Sequence, residues 1–136
     1  MKLNCLDFLG ISEHFSEEEI MVQKTANEFA VKEIIPIIDE HFENNTFPND
    51  IIKKIGHIGF LGPTIPEKYG CSGMSSVAYG LICQELERAD SGVRSFASVQ
   101  GSLVMYPIYA YGSEKQKEFW LPKLATGEKI GCFGLT

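Results

Sequence analysis

The chain has 136 residues, of which 44% are hydrophobic, a size and composition typical of one domain with its own apolar core. Its 12 basic and 18 acidic side chains give a net charge of −6, which argues against a nucleic-acid or anionic-membrane binder. The four cysteines form neither a CxxC pair nor a disulfide framework, and the first residues lack a signal peptide, so we expect a cytoplasmic protein with reduced thiols.

Helical signals dominate the first part of the chain. A capping box formed by Ser16 and Glu19 predicts the start of a helix, because each side chain can accept a backbone N–H of the first turn. Pro36 should kink or divide this helix, since proline lacks the N–H that a helix interior needs. Isoleucines at helical spacing predict a second, short helix near 49–58, which ends before Gly59.

The second part of the chain also reads as helices. A long loop over 60–73, rich in proline and glycine, leads into predicted helices near 75–89 and 92–105. A second capping box, Ser113 with Gln116, begins the last helix, which should end at the glycine of "ATGE". We therefore predict an all-α fold for this domain.

The final stretch, "IGCFGLT" (130–136), is the one segment whose pattern favours a β-strand. A single strand has two unpaired edges and needs a partner to be stable. We therefore expect a helical domain over 1–128, followed over 129–136 by a strand that pairs with another molecule or with the rest of a larger protein.

Arg94 is unusual because the 19 positions that follow it carry no charge. Asp90, four residues earlier, could form an ordinary i,i+4 ion pair with it. Alternatively, Arg94 lies near the positive end of a helix and, with Ser95, could bind a carboxylate through charge-assisted hydrogen bonds. The residues alone leave both interpretations open. The uncharged run itself contains too many polar and helix-breaking residues to predict a membrane span.

Other chemical signals are weak. The histidines and cysteines lack the spacing of metal ligands, and the glycines of "GHIGFLG" lack the GxGxxG pattern, so we predict no metal site. Glu85 and Glu87 are two residues apart on a predicted helix. Their side chains should therefore project to different sides, which excludes a cooperating carboxylate pair.

Several stretches resemble the acyl-CoA dehydrogenase family, and within it the glutaryl-CoA dehydrogenase type. They are "GPTIPEKYGCSGMSSVAYGLICQELERADSGVRS" and "SLVMYPIYAYGSEKQKEFWLPKLATGEKIGCFGLT". The stretch "YGSEKQKEFWLPKLATGE" is similar to the general family signature, whereas "ELERADSGVRS" is similar to the narrower glutaryl type. The similarity is dense over 58–136 and weaker but colinear over 16–57.

This resemblance implies the N-terminal helical domain of a flavoenzyme, followed by the first strand of a middle β-domain. Members of the family take a proton from the α-carbon of an acyl-CoA and transfer a hydride to FAD. The glutaryl type also decarboxylates the intermediate to crotonyl-CoA. Electrons would leave through electron-transferring flavoprotein, and full-length members are usually homotetramers.

The resemblance also implies a substrate site. Arg94 would bind the distal carboxylate of glutaryl-CoA, and Ser95 would add a hydrogen bond. Glu87 would orient the arginine or complete the polar end of the pocket. The catalytic base of the glutaryl type is a glutamate of the C-terminal domain, so no catalytic residue is expected within this chain.

Part of a cofactor site is implied at the other end of the chain. Phe133, Gly134, Leu135 and Thr136 match the beginning of the flavin-contacting segment "FGLTEP" of the family. Most of the FAD site has no counterpart here, so we expect the isolated chain to bind FAD weakly or not at all and to be inactive.

Two alternatives stay open. Val93, Gly101 and Tyr106 depart from the pattern of the glutaryl type, which leaves room for a dehydrogenase that acts on another acyl-CoA and in which Arg94 pairs only with Asp90. The second alternative is a non-enzymatic helical module that binds a protein partner.

Overall fold

The computed structural model describes Asp7 and residues 9–134, and these residues form helices and turns without a strand. The all-α prediction is confirmed. Within the described residues, no helix is long and apolar enough to cross a membrane. The α-helices are α1 (Glu17–Phe29), α2 (Ile35–Glu43), α3 (Asp50–His57), α4 (Ser76–Ala89), α5 (Ser91–Ser98), α6 (Tyr106–Tyr111) and α7 (Glu114–Ala125).

Both predicted capping boxes are present. Ser16 Oγ accepts the Glu19 N–H at 3.2 Å, and Glu19 Oε2 accepts the Ser16 N–H at 2.9 Å. At the start of α7, the Ser113 N–H donates to Gln116 Oε1 at 2.8 Å, while Ser113 Oγ caps the Gln116 N–H. These side chains satisfy N–H groups that have no partner inside the helix, which fixes where α1 and α7 begin.

Two π-helical segments precede prolines. Ala30–Ile34 joins α1 to α2 just before Pro36, and Val99–Met105 joins α5 to α6 just before Pro107. Proline lacks an N–H and its ring crowds the carbonyl four residues earlier, so it disturbs the hydrogen-bond pattern of the helix just before it. Pro36 does not divide its helix, because α1 continues through the π segment into α2. The helix predicted near 92–105 likewise continues through its π segment into α6.

The apolar core lies between α1, α4 and the chain around α5. α1 packs along α4, and α4 packs along α5. The long loop between α3 and α4 also contributes, since Phe60 is buried and its ring meets that of Phe29 edge to face at 6.4 Å. The fully buried side chains of this core include Ile34, Ile51, Ile55, Phe60, Leu61, Ile65, Ile82, Leu86, Val93, Met105 and Leu121.

The end of the chain differs from the prediction. α7 ends at Ala125, and Gly127 follows with a φ of 71°, a left-handed conformation that glycine adopts without strain. The strand expected over 130–136 is not formed in its described part, since residues 130–134 have no regular secondary structure. Its absence has a physical reason: no other strand lies within the described residues to pair with it.

Candidate functional site

The turn between α4 and α5 consists of one residue, Asp90. Its backbone is extended, with φ −165° and ψ 129°, and its Oδ1 accepts the Val93 N–H at 2.7 Å. The carboxylate therefore caps α5, as aspartate commonly does at a helix start. It forms no ion pair with Arg94 among the contacts of the described residues. The Asp90–Arg94 pair, one of the two interpretations left open by the sequence, is wrong.

The backbone at Arg94 is also already paired. The Arg94 N–H donates to the Asp90 carbonyl at 3.1 Å, so it belongs to the first hydrogen-bonded turn of the helix. The N–H groups that a helix start leaves free precede it. An anion at Arg94 would accordingly be bound by side chains, and not by free backbone N–H groups of the helix start.

Glu87 holds the Arg94 side chain. Arg94 Nε donates to Glu87 Oε2, and Ser91 Oγ donates to the other oxygen, Glu87 Oε1, at 2.7 Å. Arg94 Nη1 lies 3.4 Å from Ser98 Oγ, at the long limit of a hydrogen bond. Arg94 Nη2 makes no hydrogen bond with any described residue. One edge of the guanidinium is therefore fixed, while its Nη end remains able to receive a ligand.

Both groups of this pair are charged at neutral pH. Hydrogen bonds from Ser91 and then from Arg94 lower the pKa of Glu87, and Glu87 in turn raises the pKa of Arg94. The side chains of Arg94 and Glu87 are 35% and 45% exposed. Solvent-exposed ion pairs contribute little to stability. The arrangement orients a cation more than it holds the fold together.

A row of polar side chains extends from this pair along the contact between α4 and the following helix. As in an antiparallel hairpin, contacts further from the turn join earlier residues of α4 to later residues of the next helix. Glu87 meets Arg94 near the turn, and Tyr79 OH lies 2.8 Å from Ser102 Oγ further along. We call this row the polar seam. It consists of Tyr79, Cys83, Glu87, Arg94, Ser98 and Ser102.

The rest of the polar seam is neutral. Burial raises the pKa of Tyr79 and that of Cys83, so both keep their protons at neutral pH. The sequence analysis predicted only Glu87 and Arg94 among the residues of the polar seam. The spacing of the other four could have indicated them, since polar residues four apart on a helix share a face.

Ser95, the third predicted substrate residue, lies next to Arg94 in α5 and is half-buried. Its carbonyl accepts the Ser98 hydroxyl at 3.1 Å, and its own Oγ makes no hydrogen bond with a described residue. The structure thus brings Glu87 to Arg94 and leaves the Ser95 hydroxyl available in the same turn. Arg94 makes no hydrogen bond or ion pair with the described residues at the end of the chain.

Of the predicted flavin-contacting residues, Phe133 and Gly134 are described, whereas Leu135 and Thr136 lie outside the described residues. Phe133 is 50% exposed. A Cβ added at Gly134 would meet nothing within 4 Å. The backbone of 132–134 makes no hydrogen bond within the described part of the chain. The Phe133 ring and the backbone of 132–134 are therefore accessible.

Comparison with known proteins identifies the family. The family model described as "Acyl-CoA dehydrogenase, N-terminal domain" matches residues 16–128. A curated relative, acyl-CoA dehydrogenase from Bacillus subtilis, is 37% identical over 123 residues, which are 90% of this chain and 32% of the relative.

Solved structures agree with this match. Glutaryl-CoA dehydrogenase from Mycobacterium smegmatis is 48% identical, with a TM-score of 0.89 over 96% of this chain and 34% of that chain. A structure of a glutaryl-CoA dehydrogenase from the same organism in complex with FADH2 gives a TM-score of 0.86 over 90% of this chain and 31% of that chain. Butyryl-CoA dehydrogenase from Megasphaera elsdenii is 32% identical, with a TM-score of 0.83 over 90% and 33%. The chain thus spans about a third of the length of these relatives.

Proposed function

Because the chain belongs to the acyl-CoA dehydrogenase family, we propose that it is the N-terminal helical domain of a flavin-dependent dehydrogenase of the glutaryl-CoA type. The proposed reaction is the α,β-dehydrogenation of glutaryl-CoA with decarboxylation to crotonyl-CoA. The observation that carries the substrate assignment is the geometry of Arg94: Glu87 holds it at Nε, and its Nη end is available to a second carboxylate.

The chemistry of arginine favours an acidic substrate. A guanidinium keeps its charge at any pH at which a protein is folded, so it cannot adapt to an apolar acyl end by losing a proton. An acyl group that ends in a methyl would leave the Nη donors unpaired once water is excluded. A distal carboxylate would pair with both donors in a bidentate, charge-assisted arrangement, and the Ser95 hydroxyl could add a further hydrogen bond.

Packing accounts for two of the three departures from the glutaryl pattern. Val93 is fully buried in the core, and Gly101 is buried where a Cβ would approach the Gly62 backbone nitrogen to 3.2 Å. Both therefore serve the packing of the domain. Tyr106 is 53% exposed and makes no hydrogen bond with the polar seam.

FAD and the protein partners belong to the same proposal. Phe133, Gly134, Leu135 and Thr136 would form one edge of the flavin site, and FAD would supply the acceptor for the hydride. Electron-transferring flavoprotein would receive the electrons, and the complete enzyme would be a homotetramer. The base that removes the α-proton is not assigned to any residue of this chain. We therefore expect the isolated 136-residue chain to be inactive and to bind FAD weakly or not at all.

Arg94→Leu, made in the complete flavoenzyme, tests the substrate assignment. We expect kcat/KM for glutaryl-CoA to fall by about 10- to 100-fold, the value of one or two lost charge-assisted hydrogen bonds, while kcat/KM for butyryl-CoA changes little. Arg88→Leu is the matched control, because it removes the other arginine of the chain, which pairs with Glu85. The control should leave the ratio of the two substrates unchanged.

Other outcomes would separate the alternatives. Equal losses for the two substrates in Arg94→Leu would make Arg94 a structural residue. A wild-type enzyme that prefers butyryl-CoA would assign the domain to a dehydrogenase for another acyl chain, in line with the similarity to butyryl-CoA dehydrogenase. Absence of flavin reduction by any acyl-CoA would favour the non-enzymatic module.

A further inference from the structure

The buried amide of Gln100 connects the end of the described chain to the π segment Val99–Met105 through hydrogen bonds. Gln100 is 1% exposed and lies at the start of the second π segment. Its Nε2 donates to the Leu124 carbonyl at 3.0 Å and to the Lys129 carbonyl at 2.9 Å. Its Oε1 accepts the Gly131 N–H at 2.9 Å. One side chain thereby satisfies three backbone groups at the end of α7 and beyond it.

These bonds hold a segment that has no regular secondary structure of its own. Residues 130–134 belong to no helix or strand, so they lack the hydrogen-bond ladder that would otherwise fix them. The backbone of this segment also presses against the same π segment. A Cβ added at Gly131 would come within 2.3 Å of Val104 Cγ1, a distance that excludes any side chain unless the segment or Val104 moves.

Only an amide meets the requirements of this position. Two acceptors and one donor converge on the side chain, and glutamine supplies an NH₂ with two donors together with a carbonyl acceptor. Glutamate would accept from Gly131 but would oppose the carbonyls of Leu124 and Lys129. Methionine, of similar length, would leave all three buried backbone groups unpaired.

We propose that Gln100 is a positioning residue that fixes the flavin-contacting segment relative to the substrate-binding arginine. Gln100 follows Arg94 by six residues on one continuous helical stretch from α5 through the π segment to α6. Gly131, which it binds, precedes Phe133 by two residues. The tether therefore sets where Phe133 and Gly134 lie with respect to Arg94. The roles given to Phe133, Gly134 and Arg94 rest on the proposed function, whereas the hydrogen bonds of Gln100 do not.

Amide hydrogen exchange in the 136-residue chain, followed by NMR, tests the tether. In the wild type, the Gly131 amide should exchange at least about 100-fold more slowly than the Phe133 amide, although neither lies in a helix or strand. Gln100→Met should raise the exchange rate of Gly131 about 10-fold or more, relative to the Leu86 amide in the core. Gln84→Met, at an exposed glutamine, is the matched control and should change neither rate.

A conservative variant separates the tether from general packing. In Gln100→Glu, the protection factor of Gly131, which is its exchange rate relative to that of an unprotected amide at the same pH, should rise when acidic pH protonates the new carboxyl group, because the protonated group can donate to one of the two carbonyls as well as accept from Gly131. Loss of packing alone predicts no such pH dependence. Gly131→Ala, which leaves Gln100 in place, should displace the segment through the contact with Val104.

The positioning role is tested in the complete flavoenzyme by FAD titration. Gln100→Glu, assayed at neutral pH, should raise the Kd for FAD about 10-fold and shift the flavin absorbance, whereas the exposed control Gln84→Met should change neither. Fast exchange of Gly131 in the wild type would overturn the tether even if Gln100→Met proves too unstable to study. Slow exchange combined with unchanged FAD affinity in Gln100→Glu would overturn the positioning role. Failure of the proposed function would instead be seen in the substrate ratio of Arg94→Leu.

Discussion

The two faces of α4 use acidic side chains in opposite ways. On the face toward α1, the Glu85 side chain is 8% exposed, and its Oε2 accepts hydrogen bonds from Asn27 Nδ2 at 2.8 Å and Arg88 Nε at 3.0 Å. On the face toward α5, the Glu87 side chain is 45% exposed and binds Arg94, whose Nη end remains available.

This difference separates a structural pair from the pair that we propose to recognise the substrate. Glu85 joins α1 to α4 in a buried position, where the loss of one partner leaves the other unsatisfied. Glu87 is about half-exposed, and an ion pair adds little to stability in such a position, so we propose that Glu87 acts by orienting the guanidinium. We therefore expect substitutions on the first face to change stability, and substitutions on the second face to change substrate preference.

The largest expected effect on stability is that of Glu85→Ala. It leaves the Asn27 amide without its acceptor at the α1–α4 contact, and we expect the free energy of unfolding to fall by about 1–3 kcal/mol. Urea denaturation of the chain measures this loss. Glu87→Ala, two residues away on the other face, is the control and should leave the urea midpoint unchanged. Equal losses in the two variants would remove the distinction between the faces.

Glu87→Gln should have a smaller and different effect. The amide can still accept a hydrogen bond from Arg94 Nε, but it lacks the charge that makes this bond strong. We expect kcat/KM for glutaryl-CoA in the complete enzyme to fall about 3- to 10-fold, with little change for butyryl-CoA and in the urea midpoint. Glu118→Gln, at an exposed glutamate on α7, is the control. A loss of stability without a change in the substrate ratio would give Glu87 a structural role like that of Glu85.

The smallest expected effect concerns the pKa of Glu87. The Ser91 hydroxyl is the largest cause of its lowered value, so Ser91→Ala should raise this pKa toward the ordinary value of 4.5. Since the folded pKa is depressed, the stabilisation of the carboxylate is present above pH 4.5 and is lost as the pH falls through the folded value. The variant should lose it at a higher pH than the wild type. A carboxyl ¹³C titration by NMR in which the two midpoints coincide would contradict this assignment.

Local signals predicted most of the fold. The capping box at Ser16 and the proline at position 36 act through neighbouring backbone groups, so the sequence contains all that is needed to interpret them. The opposite orientation of Glu85 and Glu87 followed from helical geometry and is confirmed. The strand expected at the end of the chain depends on a partner strand, and the described residues contain none.

The site was harder to predict because its contacts cross the turn. Asp90 was an equally good partner for Arg94 by spacing, but its carboxylate caps α5, and only the three-dimensional turn brings Glu87 to Arg94 instead. Gln100 gave no sequence signal at all. Its partners lie 24 to 31 residues away, and two of its three bonds are to residues outside any helix.

A crystal structure of the complete flavoenzyme with glutaryl-CoA tests the central claim most directly. The account predicts that the distal carboxylate lies about 2.7–3.1 Å from Arg94 Nη1 or Nη2 while Nε stays on Glu87. A glutaryl group whose carboxylate is bound elsewhere, with Arg94 paired to Glu87 alone, would contradict it.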